Sequence, residues 1–193
     1  MTPAHNRRYW NRLISAEGAW KWDPVLKQDR PAPQDLAIFR SALGREAGAV
    51  PKLWPYYTSP VSDDDALRDR LPDELVAEHA ALALFGLHQQ SKTRPMHRAG
   101  IRLGAAWLAL RRTEKFSTEA LDKKLAVAAA STSVAVLRTR LRGLIDQLRT
   151  ADQPLDYDEL MRDLRDWARP SRRDVVRQRW ALGYRIWVSE PAN

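Results

Sequence analysis

One stretch of the sequence, residues 134–149, combines an apolar stripe with a row of guanidinium groups. Its apolar side chains recur at spacings of three and four residues, which places them on one face of a helix. They are Val134, Leu137, Leu141, Leu144, Ile145 and Leu148. Arg138, Arg142 and Arg149 fall at one margin of this face, and Arg140 falls at the other. We expect their stems to pack at the edge of the core and their charges to reach solvent, which makes the helix a candidate surface for a polyanion.

Two other parts of the chain carry basic side chains that could contact phosphate groups. Arg40 lies on the flank of a short amphipathic pattern, and Lys92, Arg94 and Arg98 lie in the polar segment 89–98. A flexible basic loop is well suited to phosphate contacts. An isolated exposed arginine and an ordinary linker explain the same residues, so both interpretations stay open.

The sequence contains no motif that is typical of catalysis or of a metal site. It has no glycine-rich phosphate loop, no His-Glu-x-x-His and no Gly-x-Ser-x-Gly, and its lack of cysteine excludes disulfides and thiolate ligands. His79 lies on the apolar face of a predicted helix, where we expect a core histidine. The consecutive carboxylates at residues 63–65 cannot converge on one ion from a helix and fit a solvated helix start. We therefore predict no enzyme activity, catalytic residue, metal, cofactor or small-molecule substrate.

The net charge of +8 is distributed unevenly along the 193 residues. Residues 1–93 contain 12 Lys+Arg and 12 Asp+Glu, whereas residues 94–193 contain 20 and 12, so the whole excess lies in the second half. Such asymmetry favours a partner that bears phosphate groups, although many basic proteins bind no particular partner.

The hydrophobic pattern predicts an all-α fold of about eight or nine helices. Apolar residues recur at helical spacing between Pro and Gly interruptions, and we find no alternating runs that would predict strands. Because charge and apolar phase both change near residues 89–96, we expect two small bundles, an N-terminal subdomain at 1–93 and a basic one at 94–193. No apolar run approaches a membrane span of about 20 residues, and residues 1–10 lack a signal-peptide pattern, so we expect a cytoplasmic protein without membrane contact.

Several helix ends can be assigned from their residue types. The first helix should cover residues 9–19, and Asp35 should cap the second. The stripe of residues 121–130 is out of phase with that of residues 134–148, so the serines and threonine at 131–133 should break the helix into two. Residues 156–159 resemble a capping box. The last helix repeats Val176, Trp180, Tyr184 and Trp187 at helical spacing, which predicts that these aromatic residues lie in the core.

The order of motifs in the second half resembles the CasB family, the small subunits of type I-E CRISPR Cascade complexes. The resemblance is clear over residues 101–187 and loose before them, mainly at Phe39-Arg40. Its most specific piece ends in Leu-x-x-Asp-Leu-x-x-Trp. The motifs are Ile101-Arg-Leu-Gly-Ala-Ala-Trp107, Asp122-Lys-Lys-Leu125, Leu141-Arg-Gly-Leu-Ile145, Pro154-Leu-Asp-Tyr-Asp-Glu-Leu-Met-Arg-Asp-Leu-Arg-Asp-Trp167 and Val176-Arg-Gln-Arg-Trp-Ala181.

The resemblance implies a non-catalytic helical protein that is present as two copies within the Cascade assembly. Its partners would be the other Cascade subunits, crRNA and both strands of the target DNA, and its basic surface would stabilise the R-loop. The paired basic residues of the family fall on Lys123 and Lys124, and its Leu-Arg pair falls on Leu141 and Arg142. Gly143 departs from the pattern, because several relatives carry a second basic residue at that place.

Two other classes of function fit the same sequence. A helical DNA-binding regulator would place one short C-terminal helix in the major groove, but we find no persuasive helix-turn-helix spacing. A purely architectural subunit would use its basic residues to contact acidic proteins. Sequence-specific binding to duplex DNA would favour the first class, and loss of assembly without loss of nucleic-acid binding would favour the second.

Overall fold

The computed structural model describes residues 7–185, which form nine α-helices and two short 3-10 helices. The first five α-helices are α1 (Tyr9–Leu13), α2 (Pro33–Ser41), α3 (Asp63–Leu67), α4 (Asp73–His88) and α5 (Leu103–Arg111). The other four are α6 (Thr118–Ala129), α7 (Val134–Thr150), α8 (Tyr157–Ala168) and α9 (Arg173–Tyr184), and the 3-10 helices cover Pro51–Tyr56 and Pro170–Arg172. Within residues 7–185 there is no β-strand, so the predicted all-α class and number of helices are confirmed.

Helix α4 lies at the centre of the molecule and packs against α2, α7 and α8. Thirteen of its 16 residues are buried, including His79, which is hydrogen-bonded to the Tyr57 hydroxyl and the Arg45 carbonyl as a core histidine. Gly86 allows α2 to approach closely, because a Cβ atom there would lie 2.5 Å from the Cβ of Phe39. The buried hydrophobic side chains on both sides of the predicted boundary between residues 93 and 94 belong to one cluster. That residues 1–93 and 94–193 form two subdomains stays a prediction.

The C-terminal helices pack around tryptophan rings and one contact between glycines. The rings of Trp167 and Trp180 stack at 5.2 Å with an angle of 9° between their planes. Helix α5 crosses α9 where Gly104 lies against Gly183, and a Cβ atom at Gly104 would come within 2.5 Å of the Trp180 carbonyl oxygen. Trp180 and Tyr184 are buried as predicted, whereas Trp187 lies outside the described residues.

The predicted break between α6 and α7 is confirmed. Helix α6 ends at Ala129, and the Ser133 hydroxyl accepts a hydrogen bond from the Val136 amide to begin α7. At the start of α8 the carboxylate of Asp156 accepts hydrogen bonds from the amides of residues 158 and 159. The capping box is only half formed, because the Asp156 amide donates to the Ile101 carbonyl and the Glu159 carboxylate binds arginines instead.

Two predicted details of the N-terminal region are wrong. Helix α1 ends at Leu13 rather than near residue 19, because Ile14 has extended backbone angles and pairs in an isolated bridge with Trp20. Asp35 does not cap α2. It lies within the first turn, and its buried carboxylate accepts hydrogen bonds from the hydroxyls of Tyr9 (2.7 Å) and Tyr56 (2.6 Å). Every helix within residues 7–185 is either too short or too polar to span a lipid bilayer.

Candidate nucleic-acid interface

Helix α7 carries the apolar stripe that its sequence predicts. The six apolar residues of the stripe are all buried, and the helix packs against α4 on one side and α6 on another. Helices α5 and α8 also contact α7, and the packing around it decides which of its arginines can reach solvent.

Arg138 is buried, so the expectation that its charge reaches solvent is wrong. The residue is only 4% exposed, and its Nε atom has no hydrogen-bond partner among the described residues. Burial lowers the pKa of this guanidinium from its usual value, while the nearby charge of Glu46 acts in the opposite direction. The charge of Arg138 also acts on His79 of α4, where it adds to the effect of burial in lowering the pKa of that histidine. Arg138 therefore does not belong to the solvent-facing surface.

Arg142 and Arg149 lie together on the outer side of α7. Arg142 is exposed and forms no ion pair with any residue in the described part of the chain, whereas Arg149 binds the Asp146 carboxylate at 2.6 and 3.0 Å. Both line a concavity of about 390 Å³ that also includes Gly143. The charge of Arg142 is thus available to a ligand, and that of Arg149 is partly neutralised.

Lys123 and Lys124 lie on the exposed face of α6 and line a second groove, between α6 and α7. The groove has a volume of about 340 Å³ and mostly apolar walls, and Gly143 lines it too. Arg140 forms part of its rim, but its guanidinium is tied to the carbonyl of Val127 across the corner between the helices. Because Gly143 borders both grooves, the cations of α6 adjoin those of α7.

Arg40 and Lys92 lie in a third place, around a concavity of about 340 Å³ between α2 and the end of α4. Lys92 donates a hydrogen bond to the Asp152 carboxylate at 2.6 Å, which lowers the pKa of that carboxyl. Trp20 and Arg30 line the same concavity, and neither residue was predicted from the sequence. Only the tertiary fold brings Trp20 and Arg30 to the same concavity. The local sequence offered two weak signals: Trp20 precedes a lysine, and Arg30 precedes a proline.

Arg94 and Arg98 are exposed but line none of these concavities. The carbonyl of Arg94 accepts a hydrogen bond from Gln89, and the stem of Arg98 lies against Gly18, where a Cβ atom would be 3.3 Å from its side chain. The structure thus separates the predicted residues into several surfaces. Nucleic-acid contacts at Arg40, Lys92, Arg94, Arg98, Lys123, Lys124, Arg142 and Arg149 stay predictions.

One group of side chains in the described range has the composition of a metal site. The potential ligand atoms of His97, Asp156 and Asp158 lie within 4.8 Å of one another. All three side chains take part in hydrogen bonds that stabilise the fold. His97 Nδ1 accepts a hydrogen bond from the amide of residue 157, and Asp156 caps α8. Asp158 accepts a hydrogen bond from the Trp10 indole at 2.9 Å. These contacts explain the cluster without an ion.

Solved structures resemble the chain over most of its length, whereas no curated protein sequence matches it. CasB from Thermobifida fusca is 27% identical, with a TM-score of 0.62 over 79% of this chain and 84% of that one. A CRISPR-associated protein of the Cse2 family from Thermus thermophilus is 22% identical, with a TM-score of 0.61 over 96% and 99%. A chain of a CRISPR RNA-guided surveillance complex shares the fold at 20% identity and a TM-score of 0.58, over 81% and 82%.

The family comparison agrees with these structures. The sequence model of the family named CRISPR-associated protein Cse2 matches residues 35–184, which is more than three quarters of the chain. This range includes most of α2 and the whole of α3 to α9. The resemblance to CasB that the motifs predict is therefore confirmed, and the chain belongs to the Cse2 family of CRISPR-associated proteins.

Proposed function

We propose that the protein is a non-catalytic small subunit of a type I-E Cascade surveillance complex, which binds nucleic acid without sequence preference and stabilises the R-loop. The observation that carries the proposal is the pair of adjoining grooves on α6 and α7. Lys123, Lys124 and Arg142 are exposed around them, and Gly143 borders both. Family membership supports the role in CRISPR, and the similar fold of a chain in a surveillance complex supports a role in assembly.

The energetics of an R-loop suit a protein whose individual contacts are weak. Opening a DNA duplex while an RNA–DNA heteroduplex forms is a nearly balanced exchange, as described for another class of RNA-guided effector. Modest contacts to an exposed strand can therefore shift the equilibrium. Each phosphate neutralised by a lysine or arginine releases condensed counterions, and this contribution does not depend on the base sequence. A surface of exposed cations needs no element that reads bases.

The partners follow from the same proposal. Other Cascade subunits, a second copy of this chain, crRNA and both strands of the target DNA would surround it. A second candidate, a purely architectural role, is favoured by one observation: the Lys123–Lys124 groove has mostly apolar walls, which suit an apolar side chain flanked by carboxylates on a partner protein. A DNA-binding regulator is less suitable, because α9 uses Trp180 and Tyr184 for core packing.

Charge reversal on the grooves tests the proposal. We expect Lys123→Glu with Lys124→Glu to weaken R-loop binding by roughly tenfold or more, since two favourable phosphate contacts become repulsive. Arg142→Glu should act in the same direction. Both changes fall on exposed side chains, so the melting temperature should stay within a few degrees of the wild type.

A matched control applies the same change of charge elsewhere. Arg45 and Lys52 are exposed and line neither groove, so their double replacement by glutamate should affect binding much less. Unchanged R-loop affinity in a folded Lys123/Lys124 variant would contradict the proposal. Loss of assembly into the complex with intact nucleic-acid binding would identify the architectural role instead.

A further inference from the structure

The concavity between α2 and the end of α4 combines three cations with an aromatic side chain. Arg30, Arg40 and Lys92 line it together with Trp20, and the lining includes no carboxylate. We propose that this concavity, which we call the Trp20 pocket, binds one unpaired nucleotide of a single strand, with its base against Trp20 and its phosphate near the arginines. This inference rests on the proposed function and adds a specific site for an unpaired base.

The charges of the Trp20 pocket are available to an anion. Arg30 is exposed and Arg40 is half-buried, and neither side chain forms an ion pair or hydrogen bond with any residue between 7 and 185. Lys92 is already held by Asp152, which lies outside the lining. Two arginines without carboxylate partners are the group that phosphate oxygens bind best, because a guanidinium can donate two parallel hydrogen bonds.

Trp20 is fixed in place before any ligand arrives. Its indole Nε1 donates a hydrogen bond to the Thr93 carbonyl at 2.8 Å, which ties the ring to the segment after α4. That segment is held in turn by Gln89, whose buried amide donates to the carbonyls of Lys92 and Arg94 and accepts from the Met96 amide. A ring that is ordered in advance loses little entropy when a base packs on it.

The combination of groups favours a single strand over a duplex. Aromatic side chains bind unpaired bases by stacking, and adjacent cations follow the backbone, without a strong preference for sequence. A paired base is already stacked on its neighbours and cannot enter a concavity of this kind. The volume of about 340 Å³ is within the range of small-ligand clefts, which is enough for one nucleotide but not for a duplex.

The test compares two single strands that differ only in their bases. The probes are a fluorescently labelled twelve-nucleotide thymine strand and the same strand with abasic sites at its central positions. We expect the wild-type protein to bind the complete strand about tenfold more tightly, an effect of the size expected for one stacked base. Trp20→Ala should reduce this ratio to near one, whereas Trp20→Phe should retain most of it because the ring is kept.

Trp22 provides the matched control. It is 61% exposed, lies two residues from Trp20 and does not line the pocket, so Trp22→Ala should leave the ratio of affinities unchanged. Circular dichroism verifies that each variant is folded. If Trp20→Ala does not fold, Arg30→Gln with Arg40→Gln takes its place, and we expect several-fold weaker binding of the complete strand.

The outcomes separate this inference from the proposed function. A folded Trp20→Ala variant with an unchanged ratio overturns the Trp20 pocket, and so does an Arg30/Arg40 variant with unchanged affinity. In either case, continued weakening by the Lys123/Lys124 charge reversal would leave the proposed function intact. A wild-type protein that binds neither strand nor an R-loop would overturn both.

Discussion

Arg138 and Arg142 lie about one turn apart on α7 and have opposite environments. The sequence places both at the same margin of the apolar stripe, but in the folded protein Arg138 is buried and Arg142 is exposed. Burying a guanidinium without a carboxylate partner lowers the free energy of unfolding, whereas the exposed guanidinium contributes positive charge to the surface. Nothing in the local sequence distinguishes these two environments.

We expect Arg138 to limit the stability of the fold rather than to bind a ligand. Arg138→Met keeps much of the length of the side chain and removes the buried charge, so it should leave the melting temperature unchanged or raise it by a few degrees. Arg138→Glu should destabilise the protein by about 3 to 5 kcal/mol, because it leaves an unpaired buried charge near Glu46.

Thermal unfolding and R-loop affinity of the Arg138 variants separate the two roles. Arg138→Met should bind R-loops like the wild type. Arg142→Glu should have the stability of the wild type but bind R-loops more weakly. A clear loss of affinity in a stable Arg138→Met variant would show that this guanidinium contacts the nucleic acid.

At the scale of elements, the crossing of α5 and α9 depends on the absence of side chains. Gly104 and Gly183 bring the two helix backbones into contact, and Trp180 and Tyr184 then pack around that contact. Helix–helix packing in a dense interior tolerates little added volume. The crossing therefore holds the C-terminal helix on the same core that carries α7 and its grooves.

Adding one methyl group should distinguish this crossing from an exposed glycine. Gly104→Ala places a Cβ atom 2.5 Å from the Trp180 carbonyl oxygen and should destabilise the protein by about 1 to 3 kcal/mol. Gly143→Ala is the matched control in α7, where a Cβ atom meets nothing within 4 Å, and it should stabilise the helix by about 0.5 to 1 kcal/mol.

The melting temperatures of these alanine variants test the prediction. A chain of this size should shift by roughly 2 to 4 °C for each kcal/mol, downward for Gly104→Ala and upward for Gly143→Ala. Equal effects at the two positions would contradict the close approach of α5 and α9.

At the scale of the whole molecule, a single central helix connects regions of different charge. Helix α4 contacts α2 from the neutral half of the chain and α7 and α8 from the basic half. The excess of positive charge consequently lies on helices that share a core with the neutral ones. Whether residues 1–93 and 94–193 fold as separate units stays a prediction.

The net charge of +8 leads to an expectation for binding in solution. We expect association with nucleic acid that is weak, independent of sequence and steeply dependent on salt. The logarithm of the affinity should fall as the logarithm of the salt concentration rises, with a slope of about −0.7 to −0.9 for each neutralised phosphate. Titrations of two unrelated strands over a salt series measure it. Each groove lysine that is replaced should reduce the slope by up to about one. A flat response to salt would refute the electrostatic mechanism.

The sequence by itself determined the fold class of this protein and the local structure of most of its second half. Periodic apolar residues predicted the all-α class, and serine and aspartate side chains predicted the starts of α7 and α8, because each signal acts within a few residues of the chain. The family also followed from motifs whose spacing is visible in the sequence. The stripe of α7 was predicted for the same reason, since one helix turn determines which residues share a face.

Only the tertiary structure decided which basic residues can meet a ligand. Arg138 is buried although its place on the α7 stripe matches that of the exposed Arg142. Asp35 became a buried hydrogen-bond acceptor because two tyrosines from distant segments reach it. One concavity brings together Trp20, Arg40 and Lys92, which lie in separate parts of the chain. Burial and convergence are properties of the packed helices, since they depend on which distant surfaces meet, and no local pattern of residues specifies them.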